Sequence, residues 1–186
     1  MTHSFHRGAL VLDFIGTLGF RGSAEPKERI PKPTDLGSWL QESALLASFA
    51  TITPQLHRRA IEFREATSRV LTALVDGRVP VRADVQRIND VAAWARFGAD
   101  QLDLRYLTAY RISTNAAKDA LGRIATDAVR AAAEERQRLT RCELDSCGCL
   151  LLSRSRSEKR RWCSMQTCGN VAKASAFRRR RRSAQG

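Results

Sequence analysis

The chain has 186 residues, 43% of them hydrophobic, and a formal net charge of +13, enough apolar material for one ordinary core plus a small appendage. The charge is unevenly placed: residues 1–137 hold 19 Lys/Arg against 16 Asp/Glu, and residues 138–186 hold 13 against 3. All five cysteines fall between Cys142 and Cys168, which argues against a secreted disulfide scaffold and for a reducing cytoplasm; no stretch approaches the roughly 20 apolar residues of a membrane span.

The first apolar run, Leu10 to Leu18, is broken by Asp13 and closed by no small-x-small pattern, so it reads as a buried first element rather than a signal peptide. Asp13 there needs a partner, a helix cap or an arginine, unless Asp13 and Thr17 face a small-molecule pocket. Gly19 to Pro33, with three prolines, reads as a loop. Thr34 or Asp35 then caps a helix carrying Leu36, Trp39, Leu40 and Leu46. Thr53-Pro54 opens the longest helix, with Pro54 at the first position, where its missing N–H is harmless. Its predicted apolar face is Ile61, Val70, Leu71, Leu74 and Val75, and Asp76-Gly77 ends it. Asp84 to Phe97 repeats the pattern with Val85, Ile88, Val91, Ala92 and Ala95, stopping at Gly98. Alternation from Leu102 through Ile112 predicts a strand or small hairpin. From Asn115 a further helix runs through Leu121, Ile124 and Ala128 to about Leu139, with no Pro or Gly before Cys142.

Histidines 3, 6 and 57 form no catalytic constellation, and no glycine loop cradles a phosphate, so an enzyme is not expected. The chemistry sits in the last quarter. Cys142-x4-Cys147 and Cys163-x4-Cys168, fifteen residues apart, read as two tight ligand pairs closing around one metal ion. Four thiolates give the soft tetrahedral field that Zn2+ prefers, and a small basic segment with few large apolar residues needs such a staple. Cys149 could replace Cys147 as a ligand, but the symmetry of the pairs favours Cys147. A hairpin between the knuckles would make the module ribbon-like or treble-clef-like. Trp162 is either its small core or a base-stacking platform.

The run Arg160-Arg161-Trp162-Cys163-Ser164-Met165-Gln166-Thr167-Cys168-Gly169-Asn170 resembles the signature of the CGNR zinc-finger family, with Val171 where that family has an arginine. Leu10 to Leu18 is similar to the Leu-Asp-Phe-x-x-Thr-Leu opening of the ABATE domain that accompanies such fingers, with Gly16 in place of the usual Asn. The resemblance implies two domains: an ABATE-like helical domain over 1–137, from a family named for stress-induced transcription regulation, and a DNA-binding four-cysteine finger with a basic tail over 138–186.

Together these readings predict a mainly α fold, a helical N-terminal domain with a small strand or hairpin element, and a C-terminal zinc module. One structural Zn2+ is held by Cys142, Cys147, Cys163 and Cys168. Arg154, Arg156, Lys159, Arg160, Arg161, Lys173, Arg178, Arg179 and Arg180 are the candidate nucleic-acid contacts, because arginine pairs well with phosphate. The expected role is a cytoplasmic DNA-binding regulator, with a small-molecule effector or homodimer contact in the N-terminal domain. The alternatives are a zinc-structured RNA-binding protein, favoured by the Ser/Arg loop, and an adaptor for acidic protein partners.

Overall fold

The computed structural model describes residues 5, 7–48, 50–103, 105, 108–153 and 160–183. The fold is mainly α with small antiparallel strand pairs. The first element is a short helix, α1 (Leu10–Ile15), and it lies at the centre: Val11, Leu12, Phe14 and Ile15 are all buried. Phe14 sits 5.2 Å from Trp39 and 5.8 Å from Phe63 between ring centroids, so aromatic packing joins the next two helices through it. Asp13 is buried and accepts from the backbone N–H of Arg7 (3.0 Å) and its Nη1 (3.3 Å). The arginine alternative therefore holds. Thr17 donates to the Phe14 carbonyl and accepts from Arg64.

The predicted loop contains a two-residue strand pair, β1 (Leu18–Gly19) against β2 (Lys27–Glu28). Helix α2 (Pro33–Glu42) begins two to three residues earlier than a cap at Thr34 or Asp35 would place it. Lys32 is the N-cap, and the Asp35 carboxylate reaches back to its backbone N–H at 2.9 Å. Pro33 occupies the first turn, where a proline is least disruptive. Leu36, Trp39 and Leu40 are buried as predicted, and Leu46 is buried beyond the helix end.

Helix α3 (Pro54–Val75) is capped by Thr53, whose hydroxyl accepts from Leu56 N–H at 3.1 Å. It ends at Asp76, after which Gly77 adopts φ +69° and Arg78 N–H returns to the Ala73 carbonyl at 2.8 Å. Its buried face is broader than predicted and includes Phe63, Arg64 and Ala66, while Ile61, Leu74 and Val75 are only partly buried. Helix α4 (Arg82–Ala92) is tied to α3 by a bidentate Arg69–Asp84 pair, then tightens into a 3-10 segment, Ala93–Phe97, which buries Trp94. Val85 faces outward.

The hairpin is present as β3 (Gly98–Asp103) and β4 (Thr108–Ser113), in register from Gly98 opposite Ser113 to Asp103 opposite Thr108. Arg111 pins it to the next helix by two hydrogen bonds to Asp119, at 2.6 and 2.8 Å. That helix, α5 (Ala116–Ala133), is capped by Asn115 accepting from Lys118 N–H. Gly122 lets it lie directly on the 3-10 segment: a Cβ there would strike backbone atoms of Ala95 and Trp94. Backbone cannot swing aside as a flexible side chain can. Gly122→Ala is therefore expected to destabilise by about 1–3 kcal/mol, although alanine is the better helix former. Urea denaturation tests this, and a gain in stability would show the contact to be slack.

The alanine-rich pattern carries α5 to Leu139, but the helix stops at Ala133. A 3-10 turn, Arg136–Arg138, follows, and Leu139 starts a strand instead. This strand, β5 (Leu139–Arg141), pairs antiparallel with β6 (Leu150–Leu152). Leu139, Leu150 and Leu152 belong to the same buried core as α1 to α5. Pairing with β6 and burial of Leu139 outweigh the helix propensity of the alanine-rich run, and no continuous helix enters the cysteine module. Among the described residues, no helix is long and apolar enough to cross a membrane.

Candidate metal centre and basic helix

β5 delivers Cys142 to the first knuckle, and a tight turn closes it: Cys147 N–H donates to the Leu144 carbonyl (2.8 Å) and Cys142 N–H to the Cys149 carbonyl (2.9 Å). The second segment is held beside it by Glu143 N–H donating to the Arg161 carbonyl (2.8 Å). Cys163 precedes and Cys168 lies within a π-helical turn, Met165–Gly169, whose start is capped by Ser164 accepting from Thr167 N–H. This turn runs straight into α6 (Asn170–Ser183).

The Sγ atoms of Cys142, Cys147, Cys163 and Cys168 lie within 4.8 Å of one another, and all four residues are buried. Cys147 and Cys163 are 3.5 Å apart at sulfur, and Cys163 and Cys168 3.4 Å. Four sulfurs around Zn2+ at about 2.3 Å stand roughly 3.8 Å apart. The cluster is thus sized for one ion in a sulfur-only field. Hydrogen bonds from Cys147 and Cys163 pull the Cys142 thiol down, whereas Cys142 first of all pushes Cys147 and Cys163 up. Such a set reaches the four-thiolate state only with a cation at its centre. All four positions of a tetrahedral ion are filled by protein, which makes the site structural.

Cys149 stands outside the four. It is buried, offers its carbonyl to Cys142, and its thiol lies beside Arg7. Leu151 is fully buried among the cysteines, with Leu144 and Trp162 packed against them. Trp162 is therefore part of the module's small core, and the Arg161 guanidinium covers its ring at 4.5 Å.

The predicted basic contacts divide. Arg154, Arg156 and Lys159 lie outside the described residues. Arg160 turns inward, its Nη2 donating to the Cys163 carbonyl at 3.1 Å, and Arg161 pairs with Glu143 at 2.7 Å. Lys173, Arg178 and Arg180 are exposed on α6, and Arg179 lies on the same helix. The helix contains no acidic residue, and its substantial packing is against the π-helical turn that precedes it.

How closely the module docks on the helical body was not foreseen from the motifs. Arg21 N–H donates to the Cys147 carbonyl (3.1 Å) and Leu152 N–H to the Arg7 carbonyl (2.9 Å). A Cβ on Gly22 would collide with the Asp145 carbonyl, and one on Gly8 would come within 2.8 Å of the Leu152 carbonyl oxygen. The signal available in the sequence was the placement of Gly8, Gly16 and Gly22 around the first apolar run.

Fold and site together define a helical body carrying a four-cysteine zinc finger. Residues 8–135 match the ABATE family, described as "Putative stress-induced transcription regulator", and residues 138–181 match the CGNR zinc finger. The chain belongs to the ABATE family and carries a CGNR finger placed to hold one structural zinc. No curated protein matches it.

Proposed function

We propose that this chain is a cytoplasmic DNA-binding transcription regulator whose zinc-held knuckles present α6 to the duplex. The observation that carries this reading is α6 itself. It leaves the second knuckle directly, bears Lys173 and the arginines from Arg178 to Arg182, and has no acidic residue to offset them. A cationic helix of this kind neutralises phosphates, each contact contributing about −0.9 to the slope of log K against log salt. A zinc with four protein ligands has no open position, which fits a binding protein better than an enzyme. An effector of the helical body would have a place in the open cleft of about 980 Å3 between α1, the end of α2 and the finger, lined by Leu10, Asp13, Ser43, Leu152 and Arg160.

Selection of bound sequences from a random duplex pool, with zinc-free protein as control, tests the proposal. Enrichment that depends on zinc supports it. Preferential competition by structured or single-stranded RNA would move the function to RNA, and purification free of nucleic acid at low salt would favour an acidic protein partner.

Val171 gives a sharper test. It is 45% exposed in the first turn of α6, directly after the second knuckle. Val171→Arg is expected to tighten duplex binding, by about 1–3 kcal/mol if the guanidinium reaches a guanine edge and less if it reaches phosphate alone. Titrations of both proteins over a salt series read out the change. Unchanged affinity and slope would show that this turn stays away from the duplex.

A further inference from the structure

One side chain of the helical body is built into the surroundings of the thiol cluster. Arg7 is only 5% exposed. On one side it holds Asp13 through its backbone N–H and Nη1. On the other it lines, together with Cys147, Cys149, Cys163 and Cys168, a small cavity of about 60 Å3 beside the cluster. Its guanidinium lies across Gly16, at a point where any Cβ would strike it.

A Zn2+ with four thiolates carries a net charge of about −2. In a site whose four ligands are all buried, that charge needs nearby positive charge or hydrogen-bond donors, because water does not supply them. Among the described residues of the finger, Arg161 pairs with Glu143, and Arg141 with Asp76. Arg160 donates to the Cys163 carbonyl rather than to a sulfur in the bond that it makes there. From the helical body, Arg7 and Arg29 both share that cavity wall with the thiols, and Arg7 is the buried one of the two, Arg29 being only half-buried.

We infer that Arg7, from outside the finger, is a positioning residue of the zinc site: its guanidinium compensates the charge of the zinc–thiolate centre, with Asp13 holding it in place and Gly16 making room for it. The metal site then extends beyond the CGNR segment, and its affinity for zinc depends on the docked body.

The test uses the full chain and three variants. Arg7→Met with Asp13→Asn removes both charges together, so no unpaired carboxylate is left buried, and the amide oxygen of the new asparagine can still accept the residue 7 backbone N–H. Gly16→Ala keeps every charge but pushes the guanidinium away from its seat. Zinc affinity is measured by competition with a chromophoric chelator, the thermal stability of the zinc-free chains by circular dichroism, and the ligand set by the absorption of the Co2+-loaded proteins. The expected result is a zinc affinity lower by about 10–100-fold in the double variant, the range for lost outer-sphere partners, and a smaller loss in Gly16→Ala. Arg7→Lys, which keeps the charge, should retain most of the wild-type affinity. The Co2+ bands should keep the intensity of a four-sulfur site, and the zinc-free chains should melt close to wild type. Wild-type zinc affinity in the double variant and in Gly16→Ala would overturn the inference. So would an equal loss of stability with and without zinc, which would make Arg7 a packing residue. If the double variant does not fold, Gly16→Ala and Arg7→Lys decide the question by the same affinity measurement.

Discussion

Removal of zinc is expected to destabilise the whole chain, not the finger alone. Leu139, Leu150 and Leu152 flank the first knuckle and complete the core built on α1, α3 and α5, so a knuckle that opens withdraws apolar side chains from the helices. Structural zinc sites of this kind bind with apparent free energies of about 10–16 kcal/mol. At micromolar free zinc, itself worth about 8 kcal/mol, the folded chain gains roughly 2–8 kcal/mol from the ion. Thermal unfolding followed by the far-ultraviolet helix signal should therefore show one transition, moved to lower temperature by a chelator. Melting of the helices at the same temperature with and without zinc would mean that the finger folds on its own. Elemental analysis assigns the ligands: serine at Cys142, Cys147, Cys163 or Cys168 should lose the zinc, and Cys149→Ser should keep one per chain. Zinc lost from Cys149→Ser but kept in Cys147→Ser would exchange the roles of those two residues.

The second large effect lies far from the metal. Arg64, with a side chain 2% exposed, donates to Glu28 at 2.8 and 2.6 Å, to Glu65 at 2.8 Å and to Thr17 at 2.9 Å. Glu65 in turn takes two hydrogen bonds from Arg21, whose backbone N–H holds the Cys147 carbonyl. Arg64→Met strands carboxylates around an apolar side chain, which in a buried pair costs about 3–5 kcal/mol. Both carboxylates are partly solvated, so a loss at the low end of that range, about 3 kcal/mol at neutral pH, is expected. Its pH dependence follows from the carboxylates. Burial alone would raise the pKa of Glu28 and of Glu65, but hydrogen bonds from Arg64 and Arg21 override it and both are lowered. A lowered carboxylate pKa contributes stability above the unfolded value of about 4.3, and that stability is lost as pH falls through the folded value. In Arg64→Met the share that Arg64 supplies is gone, while Arg21 still holds Glu65 and the Ile30 and Arg29 N–H groups still hold Glu28. The difference between variant and wild type should therefore be greatest near pH 7 and shrink below about pH 5. Denaturant midpoints of both proteins across that range test it, and a difference independent of pH would mean that Arg64 acts by volume alone.

Arg64 also marks where local reading fails. An arginine among arginines and glutamates on a long helix reads as solvent face, and only Glu28, Glu65 and Thr17, brought in from β2, α3 itself and the end of α1, turn it inward. The features that were legible carry their information within a few residues. Thr53-Pro54, Asn115 and Asp76-Gly77 mark helix ends by their own hydrogen bonds and φ angles. Alternation from Leu102 to Ile112 located the hairpin, although β3 starts earlier, at Gly98. The cysteine spacing located the metal centre because two tight turns and one coordination number constrain it almost completely. Long-range pairing was the missing term at Leu139, where a run with good helix propensity gives way to a strand that meets Leu152, and at Arg7, whose thiol neighbours lie at the other end of the chain.

The close seat of the finger on Gly8 and Gly22 also bears on inheritance. Two recognisable segments joined by a two-residue gap look like parts that recombination could exchange freely. Here a donor finger would have to match a surface where the Asp145 and Leu152 carbonyls have no space for a single methyl group, and where its backbone must meet Arg7 and Arg21 in register. A swapped finger would arrive with its own four cysteines intact and still fail to sit down. The two segments should therefore descend together, with substitutions on one side of the seam answered on the other.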